Sequence, residues 1–350
     1  MGIFVSLLVL SGLIFFHELG HYLAARLMGV YVEVFSIGFG KRVFTFKKWN
    51  TEWSIALIPL GGYVRMKGQD DADPSKKSYD ADSYNVKTPI QKIFILLAGP
   101  AFNFILAFFL YFAMAFGNPP VLSPVIGDVL KESPAFEAGL ESNDTIISIN
   151  AIALSSWKEM SEIISSAQGS LDIEIDRKGF LEHKILTPKL RETKNMFGES
   201  IYKKMIGISS AGITHPLELN FFEKFSYASE KTIWASTMIF TGLQKLIVGD
   251  VPASEMGGVI SIVKLTSDAS EQGWISVLFF AALISVNLGV LNLLPIPALD
   301  GGHIMFNLYE LIFRREASEA VMVKFTIAGW VILFGLMGLG LFNDINRLVG

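Results

Sequence analysis

The chain has 350 residues, 51% of them hydrophobic, 18% charged and none of them cysteine. So apolar a composition at this length excludes an ordinary soluble domain, and the lack of cysteine excludes disulfides and thiolate metal sites. A formal net charge of −4 offers no basic surface for nucleic acid, so a membrane protein is the first reading.

The first element is the uncharged run Met1 to Phe16, which leads into "FFHELGHYL". A bilayer core takes about 20 apolar residues of helix, and this run has neither a basic start nor a cleavage site, so it reads as a retained transmembrane helix over 1–28. His17 and His21 are spaced i, i+4, fall on one helix face and can share a metal ion, with Glu18 beside the first of them and placed to act on water. A pair of structural histidines is the bland alternative. Ionisable groups at mid-membrane cost about 2.5–3.5 kcal/mol on insertion scales, which favours a functional one. Zinc on two histidines still lacks a third protein ligand.

Residues 29–89 form a loop rich in Lys and Arg, including Lys41, Arg42, Lys47, Lys48 and Arg65, and basic loops lie on the cytoplasmic side. Its β-branched and aromatic runs, broken by glycines and by "WNTE", predict a β-hairpin of two or more strands turning back on themselves. Val43 to Phe46 and Trp53 to Leu60 are apolar enough to dip into the membrane, with residues such as Ile55 at the edge. The polar, acidic stretch 67–85 reads as a mobile surface loop. A second transmembrane helix follows over 90–117.

The interval Gly117 to Gly273 then lies on the far side with both termini. Its first part, 118–192, runs from a strand to "SPAFEAGL", "NDTIISIN", an amphipathic helix from Ser156 and paired strands, an α+β order. The rest, 193–273, is read as extracytoplasmic with a helix at the interface. The uncharged part of that helix, Thr232 to Leu243, is too short to span a bilayer.

A third transmembrane segment over 274–313 holds "NLLPIPALDGGH", in which Pro295 and Pro297 interrupt helix bonding. Broken backbone at membrane depth is tolerated where it lines a cavity. Asp300 there is the carboxylate that could complete a metal site at the cytoplasmic depth of His17 and His21. His303 is better suited to hydrogen bonding, because a catalytic zinc keeps an open position. His183 and His215 are read as ordinary surface residues. A fourth transmembrane helix covers 325–348.

Taken together, "HELGH", "AGPAFN" at 98–103 and "NLLPIPALDGG" resemble the site-2 protease family of intramembrane zinc proteases. The phrases "FSIGFGK", "IALIPLGGYV", "KLIVGDV" and "ALISVNLGVLN" narrow the resemblance to the RseP type of regulator of sigma-E protease. In the same way 118–192 resembles a PDZ domain of bacterial proteases, which binds extended peptides at a sheet edge. The fold implied is a polytopic α-helical membrane protein with four transmembrane helices, a membrane-associated β-hairpin and one extracytoplasmic PDZ domain.

The resemblance implies that His17, His21 and Asp300 bind Zn2+, that Glu18 is the catalytic carboxylate, and that Asn292 holds substrate or the transition state. It implies residence in the bacterial inner membrane with the active site toward the cytoplasm. Implied substrates are single-pass membrane proteins such as anti-sigma factors, or remnant signal peptides. Members of this type often carry tandem PDZ domains, whereas this interval holds one. Two rival readings are weaker. An idle adaptor has no need of Glu18, and a metal transporter would need polar groups toward the far side, where Met1 to Phe16 and Ile275 to Ser285 offer only serines.

Overall fold

The computed structural model describes residues 2–69, 78–195 and 197–349. The expected mobile loop at 67–85 thus falls partly outside the described residues, at 70–77. The chain forms two compact units, one of 1–115 with 221–350 and one of 116–220. Among the described residues four helices are long and apolar enough to cross a membrane: Gly2–Leu27, Pro89–Ala115, Trp274–Asn292 and Ala320–Val349.

Helix α1 (Gly2–Leu27) stops at Gly29, whose φ of 70° lets Val30 N–H reach Ala25 O at 2.8 Å and close the last turn. Strands β1 (Val32–Lys48) and β2 (Thr51–Met66) meet at Trp49 and Asn50. Both turn residues have positive φ, 54° and 61°, as a two-residue hairpin turn of matching twist requires.

The expected hairpin of two or more strands is built from two long strands that pair in four segments. Phe35 lies opposite both Trp53 and Val64, Ile37 opposite both Ile55 and Gly62, and Ile55 opposite both Ile37 and Phe44. The strand order is therefore 42–48, 51–58, 32–39, 62–66, because each long strand doubles back at glycines of positive φ, Gly38 and Gly40 in β1 and Gly61 in β2. Ile55 is an interior residue of the sheet, contrary to its expected edge position. The open edges are 42–48 and 62–66. Phe35 is buried, stacked on Trp53 at 4.5 Å and edge-on to Tyr22 of α1 at 5.9 Å, whereas Val43, Phe44 and Leu57 at the outer end are exposed.

After α2 (Pro89–Ala115) comes the second unit. It contains β3 (Pro120–Leu122), β4 (Ile126–Val129), α3 (Pro134–Glu137), β5 (Thr145–Ile149), β6 (Ile152–Ala153), α4 (Trp157–Ser166), β7 (Leu171–Arg177), β8 (Phe180–Leu186), β9 (Lys189–Lys194), β10 (Ser200–Met205), β11 (Ile208–Ser210) and β12 (Thr214–Pro216). The sheet order is β6-β5-β7-β8, with separate pairs β4–β11, β3–β12 and β9–β10. Alternation buries Leu171, Ile173 and Ile175 on one face of β7, against Ile146, Ile149, and Met160 and Ile164 of α4. Helix α4 is capped by Ser156, whose Oγ accepts from Glu159 N–H. The compact unit reaches beyond the expected 118–192, since β11 and β12 pair back onto β4 and β3 and Ile206 enters the same core.

An ion pair between a buried carboxylate and a half-buried guanidinium ties this unit together. Asp144 receives Arg177 Nε–H at 2.8 Å and Nη2–H at 2.7 Å, a two-point fork, and Glu141 N–H at 2.8 Å. Burial alone would raise the Asp144 pKa, but these donors outweigh it and hold the carboxyl below its ordinary range. A depressed folded pKa contributes stability above the unfolded value of about 3.9 and loses it as pH falls through the folded value. The unit should therefore loosen in acid. Arg177→Ala should cost about 3 kcal/mol by stranding a buried carboxylate, read as lost hydrogen-exchange protection at Ile146, Ile173 and Ile175. Unchanged protection would show that the fork is dispensable.

The first unit resumes with α5 (Phe221–Val248), α6 (Val259–Gln272), α7 (Trp274–Asn292), α8 (Asp300–Phe313) and α9 (Glu319–Val349). Helix α5 buries Ala228 and Ala235 in a cluster with Tyr111 of α2 and Ala282 and Val286 of α7. Helix α6 has no counterpart in the sequence reading. Ser6 Oγ of α1 donates to its Val263 O at 3.0 Å. Asp344 of α9 caps its start, accepting from Gly258, Ile260 and Ser261 N–H at 2.9 to 3.1 Å. The third membrane segment is two helices, α7 and α8, joined by a non-helical turn over 293–299.

Candidate active site

Helix α1 places His17 and His21 one turn apart, with their Nε2 atoms 3.2 Å from each other. The turn after α7 places Asp300 at the first position of α8, and Asp300 Oδ2 lies 3.4 Å from each of those nitrogens. That turn is tight. A Cβ on Gly301 would sit 2.2 Å from Leu294 O, one on Gly302 2.4 Å from Ile296 O, and one on Gly329 of α9 2.6 Å from Ala298 N. Among the described residues, His17, His21 and Asp300 are the group of His and carboxylate side chains whose ligand atoms all lie within 4.8 Å of one another.

Close backbone approach brings the site against α2. A Cβ on Gly20 would lie 2.3 Å from Ala98 O, and one on Gly99 2.2 Å from His21 Nε2. Ile95 O lies 2.9 Å from His21 Nδ1. A carbonyl can only accept, so Nδ1 carries the proton and Nε2 presents its lone pair to the site. His17 Nδ1 lies 3.2 Å from Asn103 Nδ2, and Asn103 is fully buried.

These groups open on a cavity of about 660 Å3, whose lining includes Glu18, Gly62, Val64, Asn292, His303 and Trp330. The open sheet edge runs along it. A Cβ on Gly62 would lie 3.0 Å from Glu18 Cγ, so the edge strand touches the carboxylate side chain.

The sequence signature of Peptidase family M50 matches residues 5–336. The chain belongs to this family. It is 46% identical over 345 residues to a Campylobacter jejuni protein named "Putative zinc metalloprotease", covering 99% of this chain and 93% of that one. A Helicobacter pylori protein of the same name is 41% identical, covering 99% of both chains. One from Clostridium perfringens is 33% identical, covering 99% of this chain and 98% of its own. The family resemblance read from "HELGH", "AGPAFN" and "NLLPIPALDGG" is thus borne out. As an M50 member the chain is a zinc metalloprotease, and with its four long apolar helices it is a membrane protein.

The residues present fit that metal. Asp300 Oδ2 is buried and without a hydrogen-bond donor, a costly state that a cation relieves. Two imidazole nitrogens and one carboxylate oxygen are donors zinc accepts, and three protein ligands leave a position open.

The M50 chain's remaining site candidates are placed as follows. Asn292 ends α7 at the cavity wall. His303 also lines the cavity but is not one of the three clustered residues. In the other unit His183 Nδ1 pairs with Asp172 at 3.0 Å, which raises its pKa, and His215 Nδ1 lies 2.8 Å from Ser123 Oγ. Sequence reasoning missed the roles of Gly62, Gly99 and Asn103. A signal existed for the last two, since positions 99 and 103 are i, i+4 on α2 and share the face turned to α1.

Proposed function

We propose that this M50 protease hydrolyses peptide bonds within the transmembrane segments of single-pass membrane proteins. The observation that carries the reading is the meeting of His17, His21, Asp300 and Glu18 on one cavity edged by the open strand Gly62 to Met66. His17, His21 and Asp300 would hold the zinc, which when bound supplies Lewis-acid polarisation of the scissile carbonyl and acidifies water. Glu18 takes the proton from the attacking water as its oxygen bonds to the carbonyl carbon. It then gives that proton to the amide nitrogen as the C–N bond breaks. Asn292 donates its amide N–H to the developing oxyanion.

A transmembrane helix keeps its carbonyls in internal hydrogen bonds and must unwind before attack. The open edge 62–66 replaces those bonds by strand addition and lays the unwound segment beside Glu18. The basic composition of loop 29–89 supports a cytoplasmic position for this edge and the cavity. The exposed Val43, Phe44 and Leu57 rest in the lipid bilayer of the bacterial inner membrane. On the far side, 118–192 is a single PDZ domain that binds extended peptide segments, and anti-sigma factors and remnant signal peptides are the substrate classes.

The test is cleavage in detergent of a model single-pass substrate, with products located by mass spectrometry. Cuts inside the hydrophobic segment are expected, and cuts confined to the polar flanks would overturn the intramembrane reading. Strand addition has its own test in Tyr63→Pro and Val64→Pro. Successive strand residues turn their N–H groups to opposite sides, so one variant removes a bond to the neighbouring strand and the other an outward donor. The variant that keeps wild-type thermal stability should cleave at least about tenfold more slowly, as a lost docking hydrogen bond near 1.5 kcal/mol implies. Normal cleavage by that variant would remove strand addition from the mechanism.

A further inference from the structure

We propose that the Asn103 carboxamide is a positioning residue that fixes the tautomer of His17 and so makes its Nε2 available as a ligand. The inference rests on the reading of His17 as a zinc ligand. A neutral imidazole has one proton on two nitrogens, and Nε2 can bind a metal only when that proton sits on Nδ1. For His21 the backbone settles the matter, because Ile95 O lies 2.9 Å from Nδ1 and can only accept. For His17, among the described residues, no backbone carbonyl does so. The group at its Nδ1 is the Asn103 side chain, at 3.2 Å.

A carboxamide offers both roles in one outline. With Nδ2 toward His17 the amide donates to Nδ1, the proton goes to Nε2, and His17 cannot ligate. In that orientation Asn103 Oδ1 is buried and without a hydrogen-bond donor. Half a turn about Cβ–Cγ puts Oδ1 at Nδ1, where it accepts the Nδ1 proton and leaves the Nε2 lone pair free. The backbone beneath this amide is held in place, since Ser285 Oγ of α7 donates to Asn103 O at 2.8 Å. Asn103 thereby does for His17 what Ile95 O does for His21, and the two imidazoles are oriented from the same helix α2.

The experiment measures zinc affinity of the full-length protein in detergent, by competition with a chelating dye, for the wild type, Asn103→Leu, Asn103→Asp and His17→Ala. Leucine keeps the branching and removes the acceptor, while aspartate keeps the volume and can only accept. Loss of such a supporting partner costs about 10–100-fold in metal affinity. Asn103→Leu should lose that factor with the melting temperature of the metal-free protein unchanged, and Asn103→Asp should stay close to wild type. A packing role would give the reverse order, because leucine suits an apolar bundle and a buried carboxylate does not. Zinc affinity unchanged in Asn103→Leu, or lowered equally by Asp and Leu, would overturn the proposal. Should Asn103→Leu fail to fold, Asn103→Met supplies the acceptor-free comparison with the same two outcomes. If His17→Ala binds zinc as the wild type does, it is the assignment of His17 as a ligand that fails.

Discussion

Glu18→Gln is expected to lower the rate of cleavage by about 10^2 to 10^4-fold, the usual contribution of a general acid–base residue, while the protein keeps its zinc. The two side chains have the same outline, so the substitution leaves the packing against Gly62 as it is. What changes is proton affinity. A carboxylate can take a proton from water and release it to an amine, whereas an amide does neither at neutral pH. Glu18 stands outside the three atoms that cluster around the metal position, so losing its charge should not release the ion. Single-turnover cleavage measured beside metal content on the same preparation decides the matter. Cleavage within a few-fold of wild type would remove Glu18 from the chemistry. Loss of zinc together with activity would make it part of the metal site instead.

The legible part of this protein was whatever local spacing or a lone charge in an apolar run could carry. His17 and His21 were readable because i, i+4 spacing places two side chains on one face whatever the helix packs against. Asp300 was readable because it is a carboxylate at the end of an apolar run with prolines in it, where bare helix geometry fails. The doubled sheet was not, because Gly38, Gly40 and Gly61 look alike in sequence whether they end a strand or bend it back on itself. Only the pairing of Ile37 with both Ile55 and Gly62 tells the two apart, and that is a contact between distant residues. The same limit hid β11 and β12, three residues each, whose place in the second unit depends on partners more than 70 residues earlier. Asn103 failed for a different reason. A neutral amide in an apolar helix has no weight by itself, and its role comes from the crossing of α1 and α2 at Gly20 and Gly99.

That crossing supports the other large expected effect. Gly99→Ala adds one methyl group to α2 at a point 2.2 Å from His21 Nε2, 2.5 Å from Cε1 and 2.8 Å from Cδ2. None of these separations can persist between carbon and an imidazole ring, so the ring has to move. The fold can absorb this, because the ring is the far end of a side chain. The site cannot, because His21 Nδ1 is held at Ile95 O and Nε2 must stay beside His17 Nε2 and Asp300 Oδ2. Meanwhile alanine in place of a mid-helix glycine favours the helix by about 1 kcal/mol. Gly99→Ala should therefore melt at or near the wild-type temperature without metal, yet bind zinc at least about tenfold more weakly and lose cleavage in step. Gly12→Ala in α1 is the matching control, since its Cβ would meet nothing within 4 Å. Wild-type zinc affinity in Gly99→Ala would mean that His21 has room to turn and still coordinate, and that the close approach of α1 and α2 packs the bundle without setting the metal geometry.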